Sequence, residues 1–177
     1  TKSGTLLFIK TLTPLKYECY HLVFSEDGKS GKLNNANLSD ANKGTTLNAL
    51  AVSFDNKLLS VGDTKGNVIV FNLSDKKFEY RLTGHTARIN YLEFSSGNHF
   101  LASASRDGKV QVWNMDDFNA APYQLKDNDK FVLTLRFSPT EKFLLAAYAD
   151  GKIRQWPLDL NELATSVKTK INRNFTV

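Results

Sequence analysis

The segment that ends at Asp107 contains the three side-chain types used by serine hydrolases. In such a triad Ser103 would be the nucleophile, His85 the general base and Asp107 the carboxylate that orients the imidazole. The same side chains also satisfy one another when they are buried together, as a hydrogen-bonded network without catalytic activity. We favour the structural network, because a reduced version of the set recurs in the next segment, where Asp150 is present and Ala146 replaces the serine.

No other catalytic or metal-binding pattern is present in the sequence. It contains no G-x-x-x-x-G-K-[ST], G-x-S-x-G, H-E-x-x-H or paired C-x-x-C motif. The histidines, His21, His85 and His99, lie at unrelated points, and no histidine–cysteine spacing suits a metal ion. The single cysteine, Cys19, cannot form an internal disulfide, and no neighbour would lower the pKa of its thiol. We therefore expect a cytoplasmic protein that is not an enzyme and binds neither a metal nor a cofactor.

The composition is that of an ordinary globular protein. The 177 residues include 41% hydrophobic and 23% charged side chains, and 23 Lys+Arg against 18 Asp+Glu give a net charge of +5. No run of about 18 apolar residues occurs, so we expect no membrane span. The excess positive charge is small and scattered, which does not favour a nucleic-acid partner or an anionic membrane.

A pattern of about 42 residues occurs three times. The aromatic residues that close each unit, Phe71, Trp113 and Trp156, are 42 and 43 positions apart. Each unit has short runs of Val, Ile, Leu and Phe separated by Gly, Asp, Asn and Ser, which indicates strands joined by tight turns. Fourth strands are predicted over 78–82 and 123–125. Four strands in about 42 residues are typical of a β-propeller blade, and the amphipathic stretches of a helical solenoid are absent.

The middle unit resembles the WD40 repeat family. It has Gly84-His85 near its start and Trp113-Asn114 at its end, with asparagine in place of the usual aspartate. The resemblance implies an all-β propeller in which each blade carries a buried structural tetrad. In the middle unit the tetrad would consist of His85, Ser103, Asp107 and Trp113. In the next unit it would retain Asp150 and Trp156, with Asn128 and Ala146 at the histidine and serine positions.

The resemblance also implies positions for partner contacts. In the WD40 family these are often the residue three beyond the histidine and the residue two beyond that one. Carried over to the three units, they are Asn48 and Leu50, Arg88 and Asn90, and Phe131 and Leu133. Arg106 precedes the tetrad aspartate, so Arg88, Arg106 and Phe131 would form a basic and aromatic surface typical of interface hot spots. The alternative is that Phe131 packs under its own loop and that the arginines are only solvated.

The ends of the chain depart from the repeat. Residues 1–45 are predicted as a partial or divergent blade, with strands over Gly4–Ile9 and Tyr17–Phe24 and a long surface loop over 25–44. Blades follow over 46–83, 84–126 and 127–157. Within 158–177, Asp159 and Glu162 have capping-box spacing ahead of an apolar stripe, which predicts a short amphipathic helix over 159–171.

The number of predicted blades is too small for a closed ring. At about 42 residues a blade, a seven-bladed propeller needs roughly 290 residues, whereas this chain supplies about three full blades and part of another. An open arc would expose an apolar blade face at each end. We therefore expect a fragment of a longer protein that self-associates at these faces to complete the propeller.

The function predicted from these features is a non-catalytic scaffold or sensor that binds a protein or peptide. The ending Trp156-Pro157, helix, Arg173-Asn174 resembles propellers that terminate bacterial STAND-type signalling NTPases, which implies a regulatory propeller. The alternatives are a nucleic-acid-binding propeller and an enzyme with its site in the central channel.

Overall fold

The computed structural model is made of antiparallel β-sheets. It describes the backbone of three strands within the first 45 residues, and then residues 46–73, 78–127 and 129–158, with the backbone alone at 78 and 79. These residues contain no helix, and so none that is long and apolar enough to cross a membrane. The all-β prediction is confirmed for this part of the chain, whereas the predicted C-terminal helix over 159–171 lies outside it.

The N-terminal sheet has three strands in the order β1-β2-β3. They are β1 (Thr5–Thr13), β2 (Lys16–Phe24) and β3 (Gly31–Asn37). The first two cover the strands predicted here, but the surface loop predicted over 25–44 is wrong for β3. That strand is rich in asparagine, lysine and glycine, which have low strand propensity. Its pairing with β2, from Glu18 opposite Asn37 to Phe24 opposite Gly31, supplies backbone hydrogen bonds that the side-chain pattern does not reveal.

Three further sheets follow the sequence repeat, each ordered along the chain. The first repeat sheet contains β4 (Leu47–Val52), β5 (Leu58–Asp63), β6 (Val68–Asn72) and β7 (Phe78–Leu82). The second contains β8 (Ile89–Phe94), β9 (Phe100–Ser105), β10 (Val110–Asn114) and β11 (Tyr123–Leu125). The third contains β12 (Val132–Phe137), β13 (Phe143–Tyr148) and β14 (Ile153–Pro157). The two predicted fourth strands are confirmed as β7 and β11.

A serine after the first strand organises the same turn in each repeat sheet. The hydroxyls of Ser53, Ser95 and Ser138 accept hydrogen bonds from the backbone N–H five residues further on, at 2.8, 3.1 and 3.1 Å. The residue three positions after each serine has a positive φ, 60° at Asn56 and 66° at Asn98, which asparagine tolerates better than most residues. These turns lie at one end of the sheets, and the turns between the second and third strands lie at the other.

The repeat sheets pack face to face in chain order. One face of the first sheet, including Val68 and Val70, forms a core with Ile89, Leu92 and Trp113 of the second. The other face of the second sheet forms a core with Val132, Leu135 and Tyr148 of the third. The central strands of the second sheet are buried almost continuously, so that sheet has two apolar faces, and the first and third sheets cover them.

Gly66, in the β5–β6 turn, allows the closest backbone approach between the first two repeat sheets. Its φ is 90°, and a Cβ atom there would lie 2.7 Å from the carbonyl oxygen of His85. A larger residue would therefore face both backbone strain and a backbone clash. The glycine lets the loop that carries His85 lie directly against the preceding sheet.

The outward face of the third repeat sheet is exposed in the described structure. The residue that opens the third strand is Val68, Val110 and Ile153 in the three sheets, and its exposed fraction is 0%, 0% and 72%. Leu145 on β13 is also exposed, and with Ile153 it lines a groove of about 260 Å³. The residue that opens the third strand is thus covered by the next sheet in the first two repeat sheets, and it is exposed in the third.

Candidate functional site

The second repeat sheet holds a buried chain of four side chains. The Trp113 indole donates to the Ser103 hydroxyl at 3.1 Å, and Ser103 lies 2.8 Å from Nε2 of His85. Nδ1 of His85 lies 2.9 Å from the Asp107 carboxylate. These distances fit one direction of donation throughout, from indole N–H to hydroxyl, from hydroxyl to imidazole, and from the second imidazole nitrogen to carboxylate. The four residues of the predicted tetrad are thus in contact with one another.

Asp107, in the β9–β10 turn, joins this network to the loop that precedes β8 and carries His85. Its carboxylate also accepts hydrogen bonds from the backbone N–H groups of Thr86 and Lys109, at 3.0 and 2.9 Å. Burial opposes its ionisation, but the hydrogen bonds from His85 and the backbone outweigh burial and lower the pKa of Asp107 to about 2. The ionised carboxylate thus connects the loop before β8, the β9–β10 turn and the strands that carry Ser103 and Trp113.

The same burial argues against hydrolysis by this set of residues. Ser103 is fully buried, and its hydroxyl is engaged by Trp113 and His85. A serine nucleophile needs a cleft in which a substrate carbonyl can approach the hydroxyl. The geometry therefore favours the structural interpretation of the three residues over the catalytic one.

The third repeat sheet lacks the corresponding network, which differs from the expectation for Asp150 and Trp156. The Asp150 carboxylate pairs with the Arg154 guanidinium at 3.0 Å, and this bond lowers its pKa to about 2. Ala146 offers no hydroxyl at the position of Ser103, and the buried indole nitrogen of Trp156 has no hydrogen-bond partner. Asp150 and Trp156 are therefore not joined in a tetrad, because an arginine replaces the imidazole as the partner of the carboxylate.

Two arginines and one phenylalanine of the predicted partner surface lie close together. Arg106 donates its backbone N–H to the carbonyl of Arg88 at 3.0 Å, which sets the two residues side by side. The Arg106 guanidinium lies 5.6 Å from the ring centroid of Phe131, a cation–π contact that joins the second and third repeat sheets. Both arginines are exposed, and Phe131 is 47% exposed. We refer to Arg88, Arg106 and Phe131 as the seam surface.

The two asparagines predicted as partner contacts lie within the protein and are not part of the seam surface. Asn90 donates its side-chain N–H to the carbonyl of Val132 at 2.7 Å, and so holds the second and third repeat sheets together at the seam. Asn48 is half-buried, and its amide nitrogen is buried without a hydrogen-bond partner. Both residues lie at a bulge in the first strand of their sheet. The nitrogen of Asn90 is used within the protein, and that of Asn48 has no contact with solvent.

The structure also corrects the alignment of the first repeat on the other two. Backbone N–H groups in the turn after the second strand donate to the residue before the first strand, from Thr64 to Thr46, Arg106 to Arg88 and Ala149 to Phe131. Thr46 is thus the counterpart of Arg88, and Asn48 is the counterpart of Asn90. Leu133, at the same bulge in the third repeat sheet, is 50% exposed beside the seam surface.

Sequence reasoning missed an ion pair that links the second and third repeat sheets. Arg136 on β12 donates to Glu93 on β8 at 2.8 Å, and burial raises the pKa of Glu93 despite this partner. The two residues occupy the same position in their units, 43 residues apart, but no motif marks them. The turn serines could have been found, because Ser53, Ser95 and Ser138 recur at the repeat period.

Among the side chains of residues 46–158 that are described, no group of three or more potential ligands could hold a metal ion.

Comparison with known proteins agrees with the sheet architecture. The family model described as "WD domain, G-beta repeat" matches residues 76–114 and 122–157. A chain in the crystal structure of a mitotic checkpoint complex superposes with a TM-score of 0.66 at 20% sequence identity, over 88% of this chain and 43% of that one. Two segments of the chain therefore match the WD40 repeat, and the described sheets have the fold of β-propeller blades.

Several larger proteins contain similar segments. NACHT domain- and WD repeat-containing protein 1 of Mus musculus is 31% identical over 80 residues, which is 45% of this chain and 5% of that protein. Polycomb protein EED of Chaetomium thermophilum is 37% identical over 62 residues, 34% of this chain and 11% of that protein. Set1 complex component swd1 of Schizosaccharomyces pombe is 39% identical over 59 residues, 33% of this chain and 15% of that protein. The chain spans only a small part of the length of each relative.

Proposed function

We propose that this chain is a non-catalytic interaction module that binds a protein or peptide at the seam surface. The observation that carries the proposal is the fixed placement of two exposed arginines beside a half-exposed phenylalanine where two sheets meet. Arginine and aromatic side chains contribute a large share of binding energy in protein interfaces. The relatives named for Polycomb and Set1 complexes support a role in protein assembly.

The seam surface is suited to binding because it is held by the fold on both sides. The Asn90 amide bonds across the seam, and the backbone bond between Arg106 and Arg88 fixes the spacing of the arginines. A pre-organised surface loses little conformational entropy when a partner docks. The buried tetrad beneath the same loops restrains them further.

Comparative affinity capture tests this proposal. The immobilised chain would be incubated with a lysate of the source cells, alongside Arg88→Glu, Phe131→Ala and the control Lys142→Glu, which lies at the opposite end of the sheets. We expect proteins that wild type and the control retain and that both seam variants lose. Equal recovery by all four chains would place binding elsewhere and contradict the proposal.

We also infer that the module serves as the regulatory propeller of a signalling NTPase. The WD-repeat relative that also carries a NACHT domain supports this combination, as does the resemblance of the chain's ending to STAND-type propellers. Sequencing the coding region upstream of Thr1 tests it directly. An open reading frame that lacks a nucleotide-binding domain would contradict it.

Self-association through the outward face of the third repeat sheet is a further part of the proposal. The exposed Ile153 occupies the position at which Val68 and Val110 are fully buried by the next sheet. An apolar sheet face of this kind favours a second sheet as its cover. We propose that another copy of the chain supplies it.

A further inference from the structure

The seam surface has cationic groups that the protein itself does not neutralise. Arg88 and Arg106 form no ion pair with any residue that the structure describes, and both are exposed. Guanidinium groups present several donors in a planar fork, which matches the geometry of a carboxylate. The two arginines therefore have hydrogen-bonding capacity available for an anionic ligand.

The acidic side chains at the same end of the sheets are already engaged. Asp107 is bound by His85, and Asp129 by Lys126 at 2.7 Å. Asp127 and Asp150 both pair with Arg154. Because each of these carboxylates has another partner, the two seam arginines remain unpaired among the described residues.

An apolar contact point lies directly beside these cations. The exposed fraction is 47% for Phe131, the residue just before β12, and 50% for Leu133 within that strand. The Arg106 guanidinium stands over the Phe131 ring, so a ligand that pairs with Arg106 also reaches the aromatic surface. A ligand that fits this surface therefore carries a negative charge and an apolar group within a few residues of each other.

We propose that the ligand of the seam surface is an acidic peptide segment that contains an aliphatic or aromatic residue. Its carboxylates pair with Arg88 and Arg106, and its apolar side chain packs on Phe131 and Leu133. This inference rests on the proposed function and names the chemistry of its partner. A single-stranded nucleic acid would also use arginine and an exposed ring, but such binding stacks successive bases on several rings along a groove, and the seam surface has one ring, that of Phe131.

Fluorescence anisotropy with defined probes tests the ligand class. The probes are labelled peptides of alternating glutamate and leucine, the same peptide with serine for leucine, the same with lysine for glutamate, and a thymidine oligonucleotide. We expect the glutamate–leucine peptide to bind most tightly to the full chain. Arg88→Glu should weaken it at least tenfold, Arg88→Lys should weaken it less, and Lys142→Glu should leave it unchanged.

Phe131→Ala separates the apolar part of the interaction from the charged part. We expect this variant to weaken the glutamate–leucine peptide several-fold and to leave the glutamate–serine peptide unaffected. Matching thermal melts for all variants would show that the fold is retained. Equal affinity of the lysine peptide, tighter binding of the oligonucleotide with a steep salt dependence, or no effect of Arg88→Glu would each overturn the proposal.

The outcome also separates this inference from the proposed function. If seam variants lose captured proteins but none of the acidic peptides binds, the ligand class is wrong and the interaction site stands. If neither affinity capture nor peptide binding depends on the seam surface, the proposed interaction site and the proposed ligand class are both wrong.

Discussion

Removal of the Ser103 hydroxyl should destabilise the second repeat sheet. This hydroxyl is the only link between the Trp113 indole and the His85 imidazole among the contacts that the structure describes, at 3.1 and 2.8 Å. Ser103→Ala leaves an indole N–H and an imidazole nitrogen unpaired in a site without solvent. Each orphaned group costs about 1–3 kcal/mol, so we expect a loss of roughly 2–6 kcal/mol in the free energy of unfolding.

The third repeat sheet offers the reciprocal substitution. Ala146 is opposite Arg154 in the sheet, as Ser103 is opposite Gln111, and the buried Trp156 indole has no hydrogen-bond partner. Ala146→Ser should give this indole an acceptor. One hydrogen bond in such a site contributes about 1 kcal/mol net, so we expect a gain of that size.

Urea unfolding followed by tryptophan fluorescence measures both changes. Thr83→Ala, which removes an exposed hydroxyl that makes no hydrogen bond with a described residue, is the matched control and should change the free energy by less than about 0.5 kcal/mol. An unchanged slope of free energy against urea would show that only the native state is affected. A loss below about 0.5 kcal/mol for Ser103→Ala would refute the network as a source of stability.

Three further outcomes are expected. In the folded protein the pKa of Asp107 is about 2, against an ordinary 3.8, so the ionised carboxylate stabilises the fold above pH 4. This stabilisation, about 2 kcal/mol, is lost as the pH falls from 4 to 2. Acid unfolding of Asp107→Asn should lack this component, and an identical acid transition in both proteins would disprove it. Arg88→Glu should leave the melting temperature within a degree or two of wild type while it weakens partner binding, whereas a large drop in melting temperature would assign Arg88 a structural role. Light scattering should show a species larger than the monomer that Ile153→Lys reduces to a monomer, and a wild-type chain that is monomeric at all concentrations would contradict self-association.

The strands of the repeat and the tetrad of its middle unit could be predicted from local patterns. Alternating apolar residues and Asp-Gly turns specify β-strands and hairpins over a few residues, so β7 and β11 were found at their observed positions. His85, Ser103, Asp107 and Trp113 were grouped by the resemblance of the middle unit to the WD40 family, and they are the residues joined by hydrogen bonds. Both signals lie within a single unit of about 42 residues.

The N-terminal region could not be predicted in the same way. The strand β3 is composed of residues that favour turns, and it pairs with β2 through its backbone. Backbone pairing depends on what lies beside a segment in space, and composition carries little trace of it. The loop assigned there was therefore a reasonable interpretation of the residues and a wrong one.

The amino-acid sequence by itself determined the repeat and its strands, because hydrophobic period and turn chemistry act over short distances. The residues of the buried network came from the resemblance of the middle unit to the WD40 family. Only the tertiary structure decided which polar side chains remain available at the seam. It paired Asn90 with the backbone of the next sheet and gave Asp150 to Arg154, and it left Arg88 and Arg106 exposed beside Phe131. The choice among partners depends on distances between neighbouring sheets, which no residue type specifies alone.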